Sequence, residues 1–328
     1  MVDKEISDYE LFLNKEHLRL LKLLSNKEIN SSDEDSIRCL LDKLFIYFFY
    51  SKYQDSFDTI HRITINKRIL KTNNRIKDIR NLKYPPDSSL VTTYGRCNLP
   101  KQSVLYASFM QTTSLGELRP QIGDLITQST WRLKSTKPLT YVPIFSKQPA
   151  NKPFINTMTG EIIERLTNLR TLELDIRFKE ASDDLPKNLK ELSHIVVDFI
   201  ADLFAKKVNS DNHFNYIFSA YFSDKFLNKV EEGHIDAIVY PSVPDKLNSE
   251  NIAIKPKIFE DLYSLSEVNE SIVIQELSDG RGGYGMERTA TCKNFNFDTH
   301  EILWDYEKNN DLNDFVRLLI NKYNIDLS

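Results

Sequence analysis

The sequence contains little glycine, with 9 glycines among 328 residues, where an average chain has about 7 %. This scarcity excludes collagen-like and low-complexity chains, since both depend on a strong glycine or proline bias. Glycine lets the backbone approach a ligand closely, so each one present is expected to have a local reason. Two isolated glycines, Gly95 and Gly116, directly precede an arginine and a glutamate, which makes these two positions the most informative.

Cysteine is also scarce, and no charge of one sign dominates. Cys39, Cys97 and Cys292 lie far apart with no C-x-x-C pair, which predicts reduced thiols and a cytoplasmic protein rather than a disulfide framework. Lys and Arg number 43 against 47 Asp and Glu, a formal charge of −4. Such a balance gives no overall attraction for nucleic acid, so no nucleic-acid partner is expected.

Long hydrophobic runs are missing as well. The most apolar stretch, 40–50, is interrupted by Asp42 and Lys43 and is too short to span a bilayer. The acidic, polar N-terminus has no apolar signal-peptide segment. These features predict that the protein has no membrane association. Apolar residues nevertheless make up 41 % of the chain, enough to build a sizeable core.

Hydrophobic spacing predicts a mixed α+β organisation in three segments. Residues 1–55 form an N-terminal helical extension with helices at 9–24 and 34–50, residues 56–265 form the central domain, and residues 266–328 form a β-rich segment that ends in a helix. Strands are predicted at 56–63, 104–107, 131–133, 139–144, 235–240, 271–277, 286–297 and 301–306. Further helices are predicted at 112–118, 159–208, 216–230 and 311–323.

Several familiar motifs are absent or misleading. Residues 280–285 spell G-x-G-x-x-G, but the β-biased residues 286–292 follow them, where a dinucleotide-binding fingerprint needs a helix. We therefore expect a hairpin-type loop there. The six histidines show no i,i+4 pairing and no cysteine at ligand spacing, so no metal site is expected. Neither a G-x-S-x-G elbow nor a phosphate-binding P-loop is present.

Four separated segments carry the informative residues. They are Tyr-Gly-Arg-Cys-Asn-Leu-Pro at 94–100, Val-Leu-Tyr-Ala-Ser at 104–108 with Glu117 following a Thr-Thr-Ser run, Tyr-Pro-Ser-Val at 240–243, and Asn-Ile-Ala-Ile-Lys-Pro at 251–256. Each has an ordinary structural explanation when taken alone. Arg62 and Arg96 could be surface ion-pair partners, Tyr106 a core aromatic, and Ser242 a turn cap.

Together, in this order, the segments resemble the RES family, named for its arginine, glutamate and serine. The resemblance covers about residues 57–260 and implies an ADP-ribosyltransferase-like fold with a mixed β core. The stretch between Glu117 and Ser242 would be a helical insertion longer than the compact family pattern. The family's first arginine is assigned to Arg62, with Arg75 and Arg80 as rivals.

The resemblance implies an enzyme that cleaves the nicotinamide–ribose bond of NAD. NAD is then a substrate, and neither a metal nor another cofactor is required. Several family members are toxins restrained by a partner antitoxin, which implies an antitoxin or regulatory protein as a partner. The implied catalytic residues are Glu117, Arg62, Arg96, Tyr106 and Ser242, and the implied NAD-binding residues are Arg62, Arg96, Tyr94, Tyr106, Ser242 and Asn251.

The implied roles agree with the chemistry of that reaction. Arg62 and Arg96 offer permanently charged, bidentate donors to a pyrophosphate. Glu117 would stabilise an oxocarbenium-like ribose, Tyr106 would stack on nicotinamide, and Ser242 would hydrogen-bond its amide or a phosphate. Nicotinamide leaves a cationic ring as a neutral molecule, so no general acid is needed.

Several alternatives stay open from the sequence. The acceptor could be water or inorganic phosphate, or ADP-ribose could be transferred to a macromolecule. A different class of function is a catalytically silent module that binds a partner. The leucines and phenylalanines of the N-terminal helices predict either packing on the core or self-association into a homo-oligomer.

Overall fold

The computed structural model describes residues 6–26, 29–45, 52–144, 154–155, 162–163, 176, 179–180, 182–208, 212–229, 235–244, 249–277, 283–305 and 314–327. The α-helices are α1 (Asp8–Ser25), α2 (Glu34–Phe45), α3 (Asn66–Leu70), α4 (Gln111–Leu118), α5 (Lys187–Ala205), α6 (Ile217–Asp224), α7 (Pro256–Leu262) and α8 (Asp314–Lys322). The strands are β1 (Tyr53–Asp55), β2 (Thr59–Ile65), β3 (Leu105–Ser108), β4 (Leu125–Leu133), β5 (Leu139–Pro143), β6 (Phe154–Ile155), β7 (Ile162–Ile163), β8 (Ala237–Pro241), β9 (Glu250–Ile254), β10 (Tyr263–Glu276), β11 (Tyr284–Cys292), β12 (Phe295–Asn296) and β13 (Glu301–Ile302). Helices and strands together confirm the α+β class.

The chain divides into two compact units, each assembled from three stretches. The first unit comprises Met1–Gln54, Val91–Gln102 and Thr140–Val243, and the second comprises Asp55–Leu90, Ser103–Leu139 and Pro244–Ser328. The segments predicted from sequence, 1–55, 56–265 and 266–328, follow one another along the chain. The compact units do not, because each is completed by elements that are distant in sequence.

The first unit is mainly helical. Its first helix, α1, starts at a capping box in which the Ser7 hydroxyl accepts from the Glu10 N–H and the Glu10 carboxylate accepts from the Ser7 N–H, satisfying two orphan donors of the first turn. This helix packs against α2 and α5, and α6 packs against α2 and α5. The unit also holds the parallel strand pair β5–β8. The N-terminal helices therefore pack within their own unit through one apolar face.

The second unit is built on antiparallel strands in the order β9-β3-β2-β4-β10-β11. The most extensive pairing joins β4 to β10 and β10 to β11, whereas β2 and β3 are paired only at His61 and Ser108. Leu115 of α4 packs with Ile63, Ile65, Ile126 and Val273 in one buried cluster. This packing places α4 against one face of the sheet.

Most predicted elements are present, and three need correction. The strand predicted at 131–133 begins earlier, at Leu125. The helix predicted over 159–208 is wrong at its start, because Ile162–Ile163 pairs with Phe154–Ile155 as extended chain and the helix proper spans Lys187–Ala205. The strand predicted at 271–277 begins earlier, at Tyr263. Glu267, Asn269 and Glu270 interrupt the apolar pattern there, so the sequence alone gave this part of the strand no clear signal.

The G-x-G-x-x-G motif lies at a strand connection, as predicted. Gly285 is within β11 and pairs with Gln275 of β10 in antiparallel register, and the Leu277 N–H donates to the Gly283 carbonyl at 2.8 Å. Residues 278–282 lie outside the described residues. A strand follows the motif where a dinucleotide site needs a helix, so the hairpin prediction is confirmed.

In the described part of the chain, no helix has the length and apolarity that a bilayer crossing requires.

Candidate functional site

Helix α4 holds Glu117 beside strand β9 through two side-chain hydrogen bonds. The Asn251 amide Nδ2 donates to Glu117 Oε1 at 2.8 Å, and the Thr113 hydroxyl donates to the Ser249 hydroxyl at 2.8 Å. Asn251 is buried, with 3 % of its surface exposed, and Glu117 is half-buried. The structure thus brings together two of the predicted site residues, which are 134 positions apart in the chain.

A second set of polar contacts ties the same helix to β2 and β3. The Ser114 hydroxyl lies 3.1 Å from the His61 carbonyl oxygen and contacts the Ser108 hydroxyl, which lies 2.7 Å from the Met110 carbonyl oxygen. The two hydroxyl protons serve two of these three contacts. These contacts fix the start of α4, so the orientation of Glu117 one turn later is set by the sheet below it.

Gly116 is explained by close packing of the helix against Pro244, not by an unusual backbone conformation. A Cβ atom at this position would lie 3.3 Å from the Pro244 Cβ, closer than most such contacts. Gly116 is in a regular helix and does not have a positive φ. Gly95 differs, because its N–H donates to the Asn98 carbonyl at 3.0 Å and closes a short turn. Gly116 is thus explained by packing and Gly95 by a turn, and close approach of a ligand at either glycine stays a prediction.

The strand register shows which predicted residues share a face of the second unit's sheet. His61 pairs with Ser108 and Ser108 pairs with Asn251, so these three side chains leave the same face, the one that carries α4. Tyr106, two residues before Ser108, lies on that face as well, because side chains alternate along a strand. Tyr106 is half-buried. Tyr106, Asn251 and Glu117 therefore belong to one face.

Arg62 follows His61 in β2, and alternation sends its side chain to the opposite face. Its guanidinium Nη1 donates to the Tyr106 carbonyl at 2.7 Å. Because β2 and β3 pair at a single position, this carbonyl takes its hydrogen bond from a side chain in place of a strand N–H. Arg62 is thereby linked to the strand that carries Tyr106, through the main chain.

The two rival arginines have other partners. Arg75 Nη2 lies 2.7 Å from Glu270 Oε1, with both side chains 0 % exposed, and Nη1 donates to the Leu327 carbonyl at 2.8 Å. Arg80 is exposed and pairs with Asp78, two residues away. Arg75 could reach a ligand only by breaking a buried ion pair, and Arg80 lies in a solvent-exposed turn.

Arg96 belongs to the first unit and caps the end of α5. Its guanidinium donates to the Phe204 carbonyl and to the Lys206 carbonyl at 3.3 Å, and its centre lies 5.0 Å from the Tyr216 ring centroid. Only 8 % of the residue is exposed. Helix C-termini leave carbonyls without intrahelical partners, so Arg96 has a structural role whether or not it also contacts a ligand.

The other two predicted residues of the first unit are buried. The Tyr94 hydroxyl accepts from Arg38 Nη2 at 3.3 Å, its ring makes an edge contact with Phe214, and burial raises its pKa. Ser242 directly follows β8 and is fully buried. Their assignment to NAD binding stays a prediction.

Burial changes the acid–base behaviour of His61 and Cys97. Desolvation lowers the pKa of His61, whose Nδ1 lies 3.2 Å from the Thr130 hydroxyl. Full burial raises the pKa of Cys97 to about 12, so its thiol stays protonated at neutral pH. Among the described residues, no cluster of three or more His, Cys, Asp or Glu side chains could hold a metal ion.

Sequence reasoning missed the residues that fasten α4, namely Thr113, Ser114, Ser108 and Ser249. Three of them are buried side chains in the segment 108–114. The sequence feature that could have revealed them is the Thr-Thr-Ser run within a predicted helix. Hydroxyl residues are unfavourable in a helix interior unless they find a partner, so such a run indicates contacts with a neighbouring element.

Comparison of the chain with protein-family models, curated proteins and solved structures gave no match.

Proposed function

We propose that this protein cleaves the nicotinamide–ribose bond of NAD, with water or inorganic phosphate as the acceptor, on an ADP-ribosyltransferase-like core of the RES type. The observation that carries the proposal is the 2.8 Å hydrogen bond from Asn251 to Glu117, on the sheet face that also bears Tyr106. It supports the proposal because two segments of the RES-like pattern supply a carboxylate and the group that holds it.

The chemistry requires few groups from the protein. The bond between the ribose C1 and the nicotinamide nitrogen breaks, its electron pair neutralises the pyridinium, and nicotinamide leaves without protonation. An oxygen of water or phosphate then bonds to C1, and water gives up a proton to solvent. A carboxylate beside the ribose stabilises the developing positive charge. Glu117 is assigned this role, and Tyr106 is assigned to stacking on the nicotinamide ring.

The decisive experiment measures nicotinamide release from NAD by the purified protein, with and without phosphate. Glu117→Gln keeps the shape of the side chain and removes its charge, and we expect release to fall at least 100-fold, about 2.7 kcal/mol in the barrier. Glu16→Gln, at a partly exposed glutamate of α1, is the matched control and should retain full activity. Absence of release by the wild type, or equal release by Glu117→Gln, contradicts the proposal.

The same assay identifies the acceptor. NAD labelled in its adenylate part gives ADP-ribose with water and its 1-phosphate ester with phosphate. Label on a protein or nucleic acid indicates ADP-ribosyl transfer to a macromolecule. Binding of NAD without turnover indicates a silent module. If the protein is a toxin that an antitoxin restrains, expression of the wild type alone should arrest growth. Expression of Glu117→Gln should not.

A further inference from the structure

Two contacts between α4 and β9 repeat at matching distances along both elements. On the helix, Thr113 and Glu117 are four residues apart, close to one turn, or about 6 Å of rise. On the strand side, their partners Ser249 and Asn251 are two residues apart, about 6.7 Å, and they are bonded to the helix in the same order. The helix therefore runs alongside the strand, and its two polar side chains meet two strand side chains in register.

From this matched pair we infer that Asn251 is a positioning residue, which orients the Glu117 carboxylate toward the ribose. The inference rests on the proposed function. It assigns Asn251 to the orientation of Glu117, whereas the RES resemblance implies that Asn251 contacts NAD directly. The amide Nδ2 of Asn251 donates to Glu117 Oε1 from a buried position. A carboxylate accepts several hydrogen bonds, so one that is held by Asn251 keeps the capacity to accept from ribose hydroxyls.

Rotamer freedom explains why an orienting residue matters here. A glutamate has three rotatable side-chain bonds, and Glu117 lies one residue before the end of α4. A donor fixed in β9 selects one rotamer of Glu117 before substrate binds. The entropic cost of ordering that side chain is then not added to the activation barrier. Asn251 is suited to this task because β9 is paired along its length with β3.

The test compares Asn251→Leu with Asn269→Leu. The first removes the hydrogen bond to Glu117 while keeping the number and branching of the side-chain heavy atoms. The second makes the same change at a buried asparagine of β10 whose amide donates to Glu267. We expect Asn251→Leu to lower kcat at least tenfold with KM for NAD within about twofold of wild type, because Asn251 does not touch NAD. Asn269→Leu should keep kcat within about twofold. An unchanged kcat, or a raised KM alone, in Asn251→Leu overturns the inference.

A charge test separates orientation from simple packing. Asn251→Asp places a second carboxylate against Glu117, and two neighbouring carboxylates resist double ionisation. The acid limb of the rate–pH profile should then move to higher pH by about one unit or more, which a merely structural residue would not cause. An acid limb at the wild-type position contradicts direct coupling of the two side chains.

One measurement needs no activity. The losses of urea midpoint in Asn251→Leu, Glu117→Met and the double variant should be non-additive, because either single change already removes the hydrogen bond. Additive midpoints overturn the inference even if the enzyme is active. Non-additive midpoints with no nicotinamide release by the wild type retain the contact and reject the proposed function, so the two failures are distinguishable.

Discussion

The Arg75 guanidinium and the Glu270 carboxylate form an ion pair at 2.7 Å with neither side chain exposed to solvent. Glu270 also accepts from the Thr289 hydroxyl at 2.6 Å, and Arg75 lies 4.7 Å from the Trp304 ring centroid. The pair connects β10 and β11 to the residues that follow β13 and to the carbonyl of Leu327. It therefore organises the C-terminal part of the second unit.

Removing one partner of this pair should be costly. Arg75→Met leaves Glu270 charged and buried, and such changes typically cost about 3–5 kcal/mol. We expect a large fall in the urea midpoint of the second unit. The comparison is Arg80→Met, in an exposed pair, which should leave the midpoint nearly unchanged because surface pairs contribute little. Equal midpoints for the two variants would refute the structural role of the buried pair.

Arg62 should act through the strand that it holds. Its side chain leaves the sheet face opposite to Tyr106 and Glu117 and donates to the Tyr106 carbonyl. Arg62→Met should therefore lower the urea midpoint, because this carbonyl loses a charged donor, and should keep KM for NAD within about twofold. Titration calorimetry with NAD measures the affinity independently. A KM raised at least tenfold in a folded Arg62→Met variant would contradict this role and indicate contact with NAD.

Arg96→Met should loosen the end of α5. The carbonyls of Phe204 and Lys206 lose a buried charged donor, and a buried group left without its partner costs about 1–3 kcal/mol. Amide hydrogen exchange should accelerate over residues 200–208 more than in β10. Arg96→Lys should recover only part of the protection, because lysine cannot bridge two carbonyls in a fixed plane. Unchanged exchange over 200–208 would reject the capping role.

The three cysteines should react with iodoacetamide in a fixed order. Cys39 is exposed, whereas Cys97 and Cys292 are buried and burial raises the pKa of both thiols. Since the thiolate is the nucleophile, Cys39 should be alkylated first in the folded protein, with the other two protected. Peptide mass spectrometry reads the order directly. Denatured protein, in which all three should react alike, is the reference.

His61 should make stability depend on pH. Burial lowers its pKa in the folded protein, with Glu267 partly opposing the shift, so the unfolded chain binds a proton more readily. Stability is then fully present above about pH 6.5, the ordinary histidine value, and decreases as the pH falls below it. His61→Gln should reduce the loss of urea midpoint between pH 7 and 5, whereas His213→Gln, at an exposed histidine, should not.

The sequence predicted those helices and strands that are specified by residues within the element itself. Helix α1 was predictable because its apolar residues recur at helical spacing, and the structure adds a capping box between Ser7 and Glu10 at its start. The first half of β10 was not, since its polar residues find partners that are distant in sequence, such as Arg75 and Thr289 for Glu270. The bond between Asn251 and Glu117 depends on strand order, which spacing along one chain does not reveal. The same holds for Arg96, whose carbonyl partners lie about a hundred residues further on.

Each compact unit is completed by stretches from both halves of the sequence. Therefore no single cut in the gene separates the two units, because a fragment that contains one whole unit also carries stretches of the other. Expression of either half alone should leave apolar surfaces uncovered. A protease that nicks the chain at one exposed connection would give pieces that still associate under native conditions and separate only in denaturant. Genetic dissection of this protein is accordingly better done by point substitution than by truncation.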